Sequence, residues 1–125
     1  MNKIRVLLAN HPMMIPDVMR QLLAEQEDME VVGEVRGPMK VLQETGRVNA
    51  DAVILAQEGT EEPALCSQLL AVYPDLTIVS VTTDMTTAIT QQLRSHRQSV
   101  LAHEPVDVVR AMRMTVRQPY SEKWA

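Results

Sequence analysis

Five short runs rich in Val, Ile and Leu punctuate the chain, at residues 4–9, 31–35, 52–56, 77–81 and 100–102. They are continuous rather than alternating, the pattern of strands covered by helices on both faces. The stretches between them carry helical spacing. Ile15, Val18, Leu22 and Leu23 recur at three- and four-residue steps, and Pro12 just ahead of them suits a helix start. Residues 38–44 form a short helix with Val41 and Leu42 inward and Gly46 as its stop. Leu65, Leu69 and Val72 form a third stripe, ended by Pro74. Ala88, Ile89, Gln92 and Leu93 form a weaker one, with Thr83 or Asp84 as its cap. Val108, Val109, Met112 and Val116 form a clear last one.

The predicted order is therefore strand then helix, five times over, with short connections. Such alternation implies an α/β domain: a doubly wound, parallel, five-stranded sheet with right-handed crossovers and helices on both faces. In open sheets of this kind ligands bind outside the carboxyl ends of the strands. Residues 1–117 form the expected domain and residues 118–125 a tail.

Composition narrows the class further. A chain of 125 residues that is 46% apolar and 22% charged is expected to fold as one domain. A formal charge of −4 gives no electrostatic reason to expect nucleic-acid binding. One cysteine, Cys66, leaves no intramolecular disulfide and no multi-thiolate metal site. The apolar runs are too short for a membrane span or a signal sequence, so a cytoplasmic location is expected. There is no Phe, and the aromatic residues are Tyr73, Tyr120 and Trp124 alone, so nine Met and many Val and Leu must fill the core.

At the carboxyl edge the expected loops present Asn10 and His11 after the first strand and Arg36 after the second. Ala56, Gln57 and Glu58 follow the third, Thr82, Thr83 and Asp84 the fourth, and His103 and Glu104 the fifth. With four glycines in the chain and none arranged as a phosphate loop, nucleotide binding has little support.

These segments resemble a known family. Ile4-Arg-Val-Leu-Leu-Ala-Asn-His-Pro, then Leu22-Leu-Ala-Glu and Glu30-Val-Val-Gly-Glu-Val, are similar to the opening of a bacterial response-regulator receiver domain. The flavour is the CheY-like fold of the NarL-type branch, which reads I-R-V-L-L-A-D-D-H-P and E-V-V-G-E-A. Ala50-Asp-Ala-Val-Ile-Leu-Ala resembles P-D-V-V-L-L-D, and Tyr73-Pro-Asp-Leu-Thr-Ile-Val resembles H-P-D-V-R-V-V. The resemblance covers about residues 3–117 and implies a flavodoxin-like receiver acting in two-component signal transduction.

What the resemblance implies about chemistry is a loss. A working receiver takes a phosphoryl group onto an aspartate ending strand three, a carboxylate nucleophile. An acidic pair after strand one holds Mg²⁺, and a Lys after strand five helps neutralise the transferring group. Here the aspartate position is Ala56. The acidic pair falls on Ala9 and Asn10 in one register, or on Asn10 and His11 in the other, and neither supplies a carboxylate. His103 stands at the lysine position, and Thr82 alone keeps its type. The loop over residues 57–63 also lacks the family's Met-Pro-Gly turn. The family's switching aromatic, three residues before the lysine, is Val100. A pseudo-receiver is expected: no catalytic residues, no enzyme activity, no cofactor and no metal.

The remaining features have competing readings. His11 and His103 at one edge would suit a transition metal, or His103 a pH response, since imidazole is the side chain that changes charge near neutral pH; the plainer reading is a family His and a lysine replacement. Glu58, Glu61 and Glu62 either mimic a phosphorylated site or form a solvated loop, and the plainer view prevails. Arg110, Arg113 and Arg117 fall at i, i+3 and i+7, with Arg94 and Arg97 nearby. They form either a contact face for a protein partner or a homodimer through the helix 4/strand 5/helix 5 side, or simply a solvated face. Cys66 is expected to pack, and the acidic run Glu25, Glu27, Asp28 and Glu30 to be a solvated turn. The functional expectation is a non-phosphorylatable interaction module. Its rivals are the receiver half of a NarL-type DNA-binding regulator whose helix-turn-helix lies outside this chain, and a small-ligand sensor using the vestigial pocket.

Overall fold

Apolar strands without alternation need cover on both faces, and the computed structural model supplies it with two helical layers. It describes residues 3–59, 61–92 and 96–117, with residues 96–100 and 117 described by their backbone alone. The elements run β1 (Ile4–Asn10), α1 (Asp17–Ala24), β2 (Met29–Arg36), α2 (Pro38–Arg47) and β3 (Ala52–Gln57). They continue as α3 (Ala64–Val72), β4 (Thr77–Thr82), β5 (Thr87–Gln92), β6 (His96–Leu101) and α4 (Pro105–Arg117).

The sheet order is β2-β1-β3-β4-β5-β6. Its first four strands are parallel, with Val6 to Ala9 set against Ala52 to Leu55 and Ala52 to Gln57 against Thr77 to Thr82. The central strands β3 and β4 are buried along their whole length. Alternate residues feed two cores. Leu8, Ile54, Ala56, Val79 and Val81 join Met19 and Leu23 of α1 and Val108, Val109 and Met112 of α4. Leu7, Val53, Leu55 and Ile78 join Val41 of α2 and Leu65, Cys66 and Leu69 of α3 on the other face. The α/β architecture thus matches the expected one, and Cys66 is a buried packing residue.

The far side of the sheet departs from the expected five parallel strands. The predicted fourth helix is instead strand β5, antiparallel to β4, and the predicted fifth strand is β6, antiparallel to β5 and not adjacent to β4. The stripe Ala88, Ile89, Gln92 is interleaved with Thr86, Thr87 and Thr90, whose branched Cβ atoms favour the extended chain. Pairing of Ile78–Val81 with Gln91–Ala88 then decides the matter. Asp84 closes the turn instead of capping a helix. Its Oδ1 accepts the hydroxyls of Thr82 and Thr86, each at 2.7 Å, and the Thr86 N–H at 3.0 Å. These donors hold its carboxyl below the usual range, the Thr82 hydroxyl most of all.

Two smaller expectations also change. Pro12 lies in the loop after β1, and α1 starts five residues later behind Pro16. Gly46 is inside α2 rather than its stop, and the Tyr73 ring lies against it: a Cβ there would come within 2.7 Å of the Tyr73 hydroxyl. That hydroxyl donates to the Leu42 carbonyl at 2.6 Å, tying α2 to the end of α3. Among the described residues no helix is long and apolar enough to cross a membrane.

Candidate functional site

The carboxyl ends of β1, β3 and β4 meet where a doubly wound sheet places its ligands. Ala9 and Ala56 are fully buried there, and Thr82 is nearly so. Ala56 offers no polar side-chain atom, and its carbonyl is already bound: the Met13 N–H donates to it at 3.0 Å, pairing Met13 with Ala56 as an isolated antiparallel bridge. The loop after β1 therefore crosses the end of β3, and the side chain of Met13, with Met85 from the β4–β5 turn, packs on the core beneath.

Asn10 fixes that crossing. Its Oδ1 accepts the Ile15 N–H at 2.7 Å, and its Nδ2 donates to Glu34 Oε2 at 2.7 Å. Arg20 completes the frame. Its Nε donates to Glu34 Oε1 at 2.8 Å, and its Nη1 to the Ile15 carbonyl at 3.0 Å and to Asp17 at 2.6 Å; its Nη2 also pairs with Glu34. The position that would hold a metal-binding acid in a receiver is thus an amide committed to loop structure. No local signal in the sequence joins Asn10, Arg20 and Glu34, because three separate elements supply them.

The guanidinium of Arg20, aided by the Asn10 amide, pulls the Glu34 carboxyl down to about 2. A lowered folded-state pKa stabilises above the unfolded value near 4.5 and is lost as pH falls through about 2. The Glu34 side chain is 31% exposed, so screening trims the effect to about 1 kcal/mol. Glu34→Gln is expected to cost that much at neutral pH. In urea titrations its deficit against wild type should narrow steadily below the ordinary carboxylate range; a constant gap would show that the charge does not matter.

Gln57, facing Thr82 across β3 and β4, is 2% exposed and holds the following loop. Its Nε2 donates to the carbonyls of Gly59 at 3.1 Å and Glu61 at 2.8 Å, while its buried Oε1 has no partner among the described atoms. Its backbone carbonyl accepts the Thr83 N–H at 3.0 Å. Thr82 Oγ1 donates to Asp84 and accepts the Thr87 N–H at 3.1 Å. The exposed Glu58, Glu61 and Glu62 stand on this loop, where Glu62 accepts the Ser67 hydroxyl at 3.2 Å.

His103 is not brought to this cluster. The inserted β5 puts β6 two strands from β4 and four from β1. At about 4.8 Å per strand, His103 stands about 19 Å along the edge from the end of β1, where His11 begins the loop. His103 is exposed at the start of α4. There Asp107 Oδ2 accepts the backbone N–H groups of His103 at 2.9 Å and Glu104 at 3.0 Å, which lower its pKa. Val100 pairs with Ala88 through the backbone, and its side chain lies outside the described atoms.

The arginine stripe divides. Arg110 is exposed and pairs with Asp107 at 3.1 Å. Arg113 turns the other way: Nε donates to Asp28 Oδ2 at 2.7 Å and Nη2 to Gln26 Oε1 at 2.7 Å. Asp28 is thus an anchor of α4, not a member of a purely solvated turn. Arg94 and the side chains of Arg97 and Arg117 lie outside the described residues.

No family model matches the sequence, and no curated protein matches it either. The chain is similar in structure to the RcsB response regulator of Salmonella typhimurium, a structure described as showing conformational dynamism for DNA interaction. The two share 23% identity at a TM-score of 0.52, over 66% of this chain and 44% of that one. The fold is receiver-like, and this chain spans less than half the length of that regulator.

Proposed function

We propose that this chain is a receiver-like signalling module that has lost phosphoryl transfer and acts by binding a protein partner or a second copy of itself. One observation carries the reading. The acceptor position is a buried Ala56 whose carbonyl is bridged by Met13, beside an Asn10 whose amide is bonded at both ends. Phosphoryl transfer needs a nucleophile, a bound cation and a positive partner, and none of these stands at the matching positions. The small-ligand reading has less support, since Asn10, Thr82 and the Gln57 amide nitrogen are all engaged within the chain. The contact surface is the β6–α4 side, where Arg110 is exposed.

Incubation with acetyl phosphate and Mg²⁺ followed by intact-mass measurement tests the proposal. The expected spectrum is unmodified; a phosphoryl adduct mapped to the carboxyl edge would overturn it. A second reading, the receiver half of a DNA-binding regulator, gains from the fact that this chain spans 44% of the regulator it resembles. A helix-turn-helix segment encoded beyond Ala125 would decide for it.

A further inference from the structure

The two edges of the sheet differ. Along β2 the register slips between Val6 and Leu7 of β1, which leaves Val32 as a bulge, and Glu30 and Arg36 stand exposed. Bulges and charges blunt an edge against further pairing. Along β6 the pairs to β5 run without a break from Thr87–Leu101 to Gln92–His96, and among the described residues no strand lies beyond it. The backbone N–H and C=O groups of alternate β6 residues therefore face away from β5. Beside this edge a groove of about 330 Å³ runs between the end of β6 and α4, lined by Leu101, Asp107, Arg110, Ala111 and Met114 among others. Leu101 is 75% exposed and Met114 59%. The two stand at opposite ends of the groove. Leu101 closes β6 at the carboxyl edge, where the chain turns back into α4, and Met114 lies nine residues past Pro105, about 13 Å along the helix. Four residues of strand, from Leu101 back to Arg97, cover the same distance of about 13 Å.

We propose that β6 pairs antiparallel with β6 of a second copy about a two-fold axis beside Ser99, joining the two six-stranded sheets edge to edge. An edge paired antiparallel with its own copy gives each outward N–H an outward C=O. In this register the backbone of residue 101 in one copy stands opposite that of residue 97 in the other, which is the level of the other copy's Met114. Each exposed Leu101 therefore meets the partner's Met114, and the contact occurs twice, once on either side of the axis. The two exposed apolar side chains of the groove are spaced for its own reversed copy, which selects a second copy over an unrelated strand. The joined edge is about 20 Å long and, with the α4 layer above the sheet, about 20 Å deep, or about 400 Å² per copy. A total of about 800 Å² lies below the range of permanent dimers, so the pairing is weak and reversible. The inference rests on the proposed function for the β6–α4 side as contact surface and names its occupant.

Sedimentation velocity of the full chain between about 5 and about 500 µM tests the pairing. The weight-average mass is expected to rise from one chain toward two across that range. Leu101→Glu and Met114→Lys, both at exposed positions, should each raise the dissociation constant at least about tenfold while the circular-dichroism melt stays in place. An equimolar mixture of the two variants should associate more tightly than either alone. One of its two junctions sets the new carboxylate against the new ammonium, and the other keeps Leu101 on Met114. Three results overturn the inference: a monomer at every concentration, a dimer that neither substitution weakens, or a mixture no tighter than its components. A monomeric chain that acetyl phosphate leaves unmodified would strike the strand pairing and leave the loss of phosphoryl transfer standing, so the two proposals fail separately.

Discussion

Restoring the missing acceptor by Ala56→Asp is expected to destabilise the protein rather than return phosphoryl transfer. Ala56 is fully buried in the core that also holds Val81, Ala88 and Ala102. The Met13 N–H is already on the Ala56 carbonyl, and the Asn10 amide is held by Ile15 and Glu34. A carboxylate placed there loses hydration without gaining a cation, at a cost of about 3–5 kcal/mol. Burial would raise its folded-state pKa above the unfolded value. Such a group is least unfavourable below the unfolded pKa, and its penalty grows as pH rises toward the folded one. The urea midpoint of Ala56→Asp should therefore fall furthest at neutral pH and recover in acid. Ala56→Asn, of the same size and uncharged, should show a deficit that does not vary with pH. An Ala56→Asp variant as stable as wild type, and modified by acetyl phosphate, would mean that the receiver pocket persists under the Met13 bridge.

The reason this site was only partly legible from the sequence lies in how its parts are joined. Three strands could be read to within one residue because β1, β3 and β4 are apolar on both faces, a property of the local composition. The loss of the acceptor was equally visible, since Ala56 lacks a nucleophilic atom whatever surrounds it. The bridge from Met13 to Ala56, and the frame of Asn10, Arg20 and Glu34, depend on the path of the loop after β1, which no periodicity encodes. The region after Thr82 failed for a related reason. Residues 88, 89, 92 and 93 fit a helical stripe, and the family resemblance favoured one as well. Threonines at 86, 87 and 90, and the availability of the β4 edge, favour a strand, and long-range pairing outweighs a weak local stripe. The consequence is functional: one inserted strand carries His103 away from Thr82 and leaves the α4 side facing a hairpin instead of a helix.

Arg113→Ala is expected to cost about 2–3 kcal/mol, whereas Arg110→Ala should cost about 0.5 kcal/mol or less, although both belong to one sequence stripe. Arg113 forks onto Asp28, with contacts of 2.7 and 3.2 Å, and onto Gln26, and its side chain and that of Asp28 are 29% and 20% exposed. The carboxylate beside it holds its guanidinium pKa above the ordinary value. The same turn anchors β1, because the Asp28 carbonyl accepts the Ile4 N–H at 2.9 Å. Removing the guanidinium takes two charged hydrogen bonds from a partly buried carboxylate and loosens α4 from the turn between α1 and β2. Arg113→Lys keeps the charge but not the planar fork, so it should recover only part of the loss. Urea denaturation of the three variants measures this, and equal small effects at 110 and 113 would sink it. The distinction governs how a partner surface is mapped. A variant lacking Arg110, Arg113 and Arg117 together would lose binding by loosening the last helix, whatever the contact face is. Charge reversal at Arg110 alone changes the exposed surface and leaves the anchor at Asp28 in place.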